Sequence, residues 1–184
     1  MSIETTTLIW LFPIVFMFHD FEEIILGEKW LRKNGRDILD RIKPRIPAFL
    51  SKVIRAVMEK STAELAFTVS LIFCLTFISA YLAAVYKLYA FFLLASGSFF
   101  LHGFMHIGQA IGLRRYVPAV ISSALIVIPY GLILFGRLIE AGIVDRRELV
   151  VYFLFAIVLT IPLILVMHRV GDYLYKRMTD LLIQ

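Results

Sequence analysis

Residues 88–113 form a run of 26 residues without a formal charge. About 20 apolar residues of helix suffice to cross the hydrocarbon core of a bilayer, and a helix that is apolar on every face belongs in lipid or in a deep core. The run therefore predicts a membrane-crossing helix. Residues 63–86, where Glu64 is the one formal charge, read the same way, as do residues 117–136, with Pro118 and Pro129, and residues 149–167, with Pro162. The chain has 184 residues, 60% hydrophobic, with a mean hydropathy of +0.85, whereas soluble domains are ~45–50% apolar. The expected fold is all-α, a polytopic membrane helix bundle forming a single domain over residues 1–184, with no soluble domain large enough to bury its own core. A net charge of +5 could suggest nucleic acid, but the basic residues flank apolar runs, as juxtamembrane charge does. Cys74 is the single cysteine and forms no intrachain disulfide. The start, Met1-Ser2-Ile3-Glu4, lacks the basic region of a secretory signal, so no cleaved peptide is expected.

The first apolar segment is the anomalous one. Its uninterrupted run, Leu8 to Phe18, is 11 residues and too short to span; carried on to Leu26 it reaches 19. That extension takes in Phe18-His19-Asp20-Phe21-Glu22-Glu23, one imidazole and three carboxylic acids in six residues. A first span over residues 5–26 thus carries ionisable groups at membrane depth, which marks a functional site. On a helix His19 lies i,i+3 from Glu22 and i,i+4 from Glu23, so the three share a face. Asp20 points about 100° away.

His19-x-x-Glu22-Glu23, near the start of a small multi-span chain that has a second histidine pair in a later span, resembles the HXXEE-motif family of prokaryotic membrane proteins. The resemblance implies a location in the prokaryotic cell membrane and a metal- or acid/base-type site. It names no reaction.

Between the first and second spans lies a basic segment, residues 28–60. Asn34-Gly35 predicts a helix stop, and Pro44 and Pro47 act as breakers. Phe49, Leu50, Val53, Ile54, Val57 and Met58 recur at helical spacing while Lys52, Arg55 and Lys60 mostly take other faces. This predicts an amphipathic helix lying in the membrane interface; a calmodulin-type target helix shares the pattern but fits less well beside so many spans. Only Lys87 separates the second and third spans. With about five crossings and the N-terminus outside, the inner side collects every Lys and Arg from Lys29 to Lys60, then Arg114, Arg115, Arg169, Lys176 and Arg177. The outer side keeps Lys87, Arg137, Arg146 and Arg147. That bias places the C-terminus in the cytoplasm.

The polar residues also agree in depth. At 1.5 Å per residue, His19 is roughly 15 Å before Lys29, His106 roughly 12 Å before Arg114, Glu23 about 9 Å before Lys29 and Glu64 about 6 Å past Lys60. Ser98, His102, His106 and Gln109 step by 4, 4 and 3 along one face of the third span. An i,i+4 histidine pair can bind one ion from a single helix, and Gly103, Gly108 and Gly112 would admit a close neighbour. The candidate ligands are His19, Glu22, Glu23, Glu64, His102 and His106, with Glu22 or Glu23 as the catalytic base and Asp20, Ser98 and Gln109 as supporting polar groups. Zinc suits this set best; a dinuclear carboxylate-bridged iron or manganese centre also suits it. Simpler roles compete for several of them. Glu64 completes a capping box with Ser61, His168 fits an interfacial histidine, and Gln109 and the histidine pair could bridge helices.

Three function classes follow. A metal-dependent membrane enzyme, hydrolase-type, would act on a lipid or other apolar substrate from the cytoplasmic leaflet. A cation or proton path would use the same acids, but the outer halves of the spans offer no matching polar exit. A structural or haem-binding subunit would use the histidines as axial ligands and leave Glu22 and Glu23 without a role. The first class accounts for the most residues.

Overall fold

The computed structural model describes residues 4–182, with side chains at all of these except 45, 49, 50, 53 and 57. The described residues are helical, with no strand among them. Helix α1 covers Thr5–Ile42, α2 Ala48–Met58, α3 Thr62–Tyr86, α4 Tyr89–Leu113, α5 Val120–Glu140 and α6 Arg146–Leu182. The last four are each long and apolar enough to cross a membrane, so the chain is an integral membrane protein.

Helices α3 and α4 match the expected spans almost residue for residue, because the bilayer sets the length of an apolar helix. The turn between them needs neither Gly nor Pro. Lys87 takes a left-handed conformation, φ 61°, and its N–H donates to the Leu82 carbonyl, closing α3 within one residue. In α5, Ser123–Val127 is a π-helical stretch just ahead of Pro129. A proline ring clashes with the carbonyl four residues back, here Leu125, and the wider π turn accommodates it.

One expectation fails at the basic end. Asn34-Gly35 does not stop α1, which runs on for 38 residues in all. Asn34 uses its side chain on the helix, donating to the Trp30 carbonyl, and Gly35 is small because the Met58 side chain of α2 packs onto it. The glycine serves a helix crossing, not a helix end. Helix α6 contains the expected span, residues 149–167, and continues beyond it to Leu182. The apolar face proposed for α2 depends on Phe49, Leu50, Val53 and Val57, whose side chains lie outside the described set, as do Met1, Ser2 and Ile3.

Helix α1 lies antiparallel along α3. Trp10 packs on Phe77 and Tyr81 near one end, while Glu28 accepts hydrogen bonds from the Thr62 N–H and hydroxyl at the other. Those bonds from Thr62, with Arg32 beside them, hold the Glu28 carboxyl down at about 2. Small buried residues of α3, Ser79, Ala80 and Ala83, let the neighbouring backbones approach. Gly171 of α6 rests directly on Thr68 of α3, where any side chain would collide. Of the three glycines expected to admit a neighbour on α4, only Gly103 does so among the described residues, against Val127 of the π stretch; a Cβ at Gly108 or Gly112 would meet no described atom within 4 Å.

Candidate metal centre

Helices α1 and α4 face each other across an aromatic seam. Phe12 meets Phe92 and Phe99 edge-on at 5.5 and 5.8 Å, and Phe16 meets Phe99 at 5.5 Å. Phe12, Phe16, His19 and Glu23 follow one another on the same stripe of α1, stepping by 4, 3 and 4. Phe92, Phe99, His102 and His106 continue the same way on α4. Towards the basic end the seam therefore changes from phenyl rings to imidazoles and a carboxylate. The rings keep the two backbones apart, and the imidazoles occupy the gap so made.

His19 is fully buried, its ring edge-on to Phe99 at 5.2 Å. Its centroid lies 5.4 Å from that of His102 and 5.1 Å from that of His106. One ligand nitrogen from each of the three imidazoles falls within 4.8 Å of the others. The Nε2 atoms of His102 and His106 are 2.9 Å apart, and Glu23 Oε1 is 3.2 Å from His106 Nε2. His19 Nε2 is buried with no hydrogen-bond partner among the described residues, while its Nδ1 sits 3.3 Å from Ser122 Oγ. One ring nitrogen fixed by a hydroxyl and the other left open is how ligand imidazoles are usually oriented.

Glu22 does a different job from its neighbour. It accepts hydrogen bonds from the Tyr116 hydroxyl at 2.6 Å and the Ser122 N–H at 2.8 Å, with the Ile121 N–H farther off at 3.4 Å. The carboxylate caps the start of α5, where free N–H groups carry partial positive charge. Tyr116 keeps its proton for this bond, since burial and the contact with Glu22 both push its phenol up. The connection that carries Tyr116 is fastened to α1 along its length. Trp30 Nε1 donates to the Tyr116 carbonyl at 2.8 Å, and Arg115 reaches Asn34 and Asp37 at 3.0 and 3.2 Å. Ala119 within it holds φ 68°, an uncommon conformation for a residue with a Cβ. It brings the Ser122 N–H to Glu22 and the Ser122 hydroxyl to His19.

The expected residues thus divide. His19, His102, His106 and Glu23 come together. Glu22 stands beside them, committed to the α4–α5 connection. Asp20 is buried, and its Oδ2 has no partner among the described residues. Glu64 caps α3: Ser61 N–H donates to its carboxylate at 2.9 Å and its own N–H donates to Ser61 Oγ at 3.2 Å. Gln109 is exposed and Ser98 half-buried, and neither hydrogen-bonds an imidazole among the described residues. His168 lies in another cluster, accepting from Lys60. Tyr116 and Ser122 escaped the sequence reading. Ser122-Ser123, the one adjacent polar pair in residues 117–136, was the available signal for the second.

A family model described as "Protein of unknown function with HXXEE motif" matches residues 10–134, more than half of the chain. The match takes in the three imidazoles, both glutamates, Tyr116 and Ser122, and ends within α5. No curated protein and no solved structure matches.

Proposed function

The chain belongs to the HXXEE-motif family, and on that premise we propose that it is a metal-dependent integral membrane enzyme of hydrolase type, acting on a lipid or other apolar molecule. The convergence of His19, His102 and His106 carries this reading. A tetrahedral zinc with Zn–N of ~2.0–2.1 Å holds its ligand nitrogens roughly 3.3 Å apart. The 2.9 Å and 3.2 Å separations around His106 Nε2 are close to that spacing. Among the described residues no Lys or Arg pairs with Glu23, so a divalent ion would be both counter-charge and imidazole partner. Zinc fits three imidazoles best, and iron or manganese would use the same donors.

Such an ion would polarise an ester, amide or phosphoryl oxygen, or acidify a bound water. Glu23 is the carboxylate placed to ligate or to take the proton, and Glu22 positions the site through Ser122. The bundle that goes with this reading has five crossings, residues 5–26 being the first. Its antiparallel run along α3, from Trp10 to Glu28, spans the depth that α3 spans. The Lys and Arg distribution puts the N-terminus outside and the C-terminus in the cytoplasm, with α2 in the interface and the substrate arriving from the cytoplasmic leaflet.

Elemental analysis of full-length protein purified without chelator tests the reading. The expected result is close to one zinc per chain, lost on chelation and restored on titration. Protein free of Zn, Fe, Mn, Co and Ni, with no uptake when each is added, overturns it.

A further inference from the structure

A cleft of about 210 Å³, edged by charged side chains, opens where α2 meets α6. We propose that it binds the phosphate headgroup of an anionic phospholipid whose acyl chains lie along α6. This site is separate from the imidazole centre and does not depend on a metal there.

The cleft is lined by Lys52 of α2, by Lys60 just before α3, and by His168, Arg169 and Asp172 of α6. Lys60 is spent within the protein. Its ammonium lies 2.6 Å from Asp172, 2.9 Å from His168 Nδ1 and 3.4 Å from the His168 carbonyl, and only 9% of its side chain is exposed. Because an ammonium can only donate, His168 Nδ1 accepts, and the proton of the neutral ring is on Nε2. Lys60 and Asp172 cancel. Lys52 and Arg169, both exposed, form no ion pair among the described residues, so the cleft keeps two unspent cations. A guanidinium fork and a mobile ammonium are the pair that recognises phosphate.

The lipid half of the argument comes from the helix that carries Arg169. In α6 only 11% of the apolar window is buried, against 28–39% in the other three apolar helices. Leu154, Val158 and Ile161 step by 4 and 3 and are 55–69% exposed, forming a strip that continues on the same face to Leu165, which lines the cleft. Cleft and strip together match an amphiphile with an anionic head. The volume agrees: sites that enclose a drug-sized ligand run ~300–1,000 Å³, so this one takes a headgroup and leaves the chains outside. A free phosphate would satisfy the cations but not the strip.

Native mass spectrometry of the full-length protein, titrated in separate arms with phosphatidylglycerol, phosphatidylcholine of the same chains, and inorganic phosphate, tests this. Phosphatidylglycerol should bind about tenfold more tightly than phosphatidylcholine. Lys52→Gln with Arg169→Gln should reduce that preference to within about twofold, and Arg169→Lys should retain part of it. Both positions are exposed, and equal melting temperatures for wild type and variants verify that the fold is kept. Equal binding of the two lipids, or a preference that survives the double substitution, overturns the proposal. So does inorganic phosphate binding through Lys52 and Arg169 as tightly as the lipid.

Discussion

Two polar clusters sit in this bundle with nearly the same ingredients and opposite electrostatics. At the junction of α2, α3 and α6, one imidazole and one carboxylate share a lysine: Lys60 hydrogen-bonds His168 and pairs with Asp172 at 2.6 Å. Between α1 and α4, three imidazoles and Glu23 share no Lys or Arg among the described residues, and several ring nitrogens are buried without a partner. The first cluster closes on itself. The second is short of a positive charge, and buried carboxylates and imidazoles are costly to leave so. Histidine and acid in a membrane protein are thus not by themselves a site; the two clusters differ in whether a lysine already pairs with the acid.

The largest test of that contrast is metal content. His106→Ala or His102→Ala should reduce bound metal at least tenfold, whereas His168→Ala should leave it unchanged. Equal loss from all three would erase the distinction between the clusters.

The adjacent glutamates sharpen it next. Glu22→Gln should leave metal affinity nearly intact but weaken the α4–α5 connection, because charge-assisted bonds such as those from Tyr116 and Ser122 are worth about 1.5–3 kcal/mol each and a neutral amide keeps only part of that. Glu23→Gln should do the reverse, keeping the melting temperature and losing turnover or metal affinity by at least tenfold. Thermal unfolding and metal titration on the two variants, run side by side, decide between them.

A smaller effect is expected at the self-closed cluster. Lys60→Met strands Asp172, which is itself 36% exposed, so the loss should be only about 1–2 kcal/mol. Adding Asp172→Asn should recover most of it. No recovery would mean that Lys60 acts through packing alone.

The smallest effect is at Glu28, outside the apolar part of α1. Its carboxyl is held at about 2 against an ordinary 4.5. A depressed carboxyl contributes stability that is full above about 4.5 and is lost as pH falls towards about 2. The melting difference between wild type and Glu28→Gln should therefore shrink steadily across that window. A constant difference would remove the charge from the account of how α1 holds α3.

Much of the bundle was legible from single helices. Residues 63–86 and 88–113 announced α3 and α4, since lipid leaves a spanning segment few lengths to choose from. The i,i+4 pair His102 and His106 and the cluster around His19 were legible for a related reason: ionisable groups in a span stand out against their surroundings. What misled was any residue whose purpose lay on another helix. Asn34-Gly35 looks like a stop until Arg115 and Met58 are in place beside it. Gly108 and Gly112 have the spacing of a packing face and no neighbour packed onto them among the described residues.

The sequence by itself determined that the chain lives in lipid and where its four long apolar helices lie, and it set His19, Glu22 and Glu23 on one face of α1 and His102 and His106 on one face of α4. These follow from period and length, which a helix expresses without knowing its neighbours. Only the tertiary structure decided which acid does what. Glu22 and Glu23 are chemically identical and adjacent, but 100° of helix rotation turns one to the start of α5 and the other to His106. The same holds for Ser122, which touches His19 only because Ala119 and the π stretch ahead of Pro129 set the path of α5. Contacts across a hundred residues depend on how helices pack, and no local pattern in the chain records that.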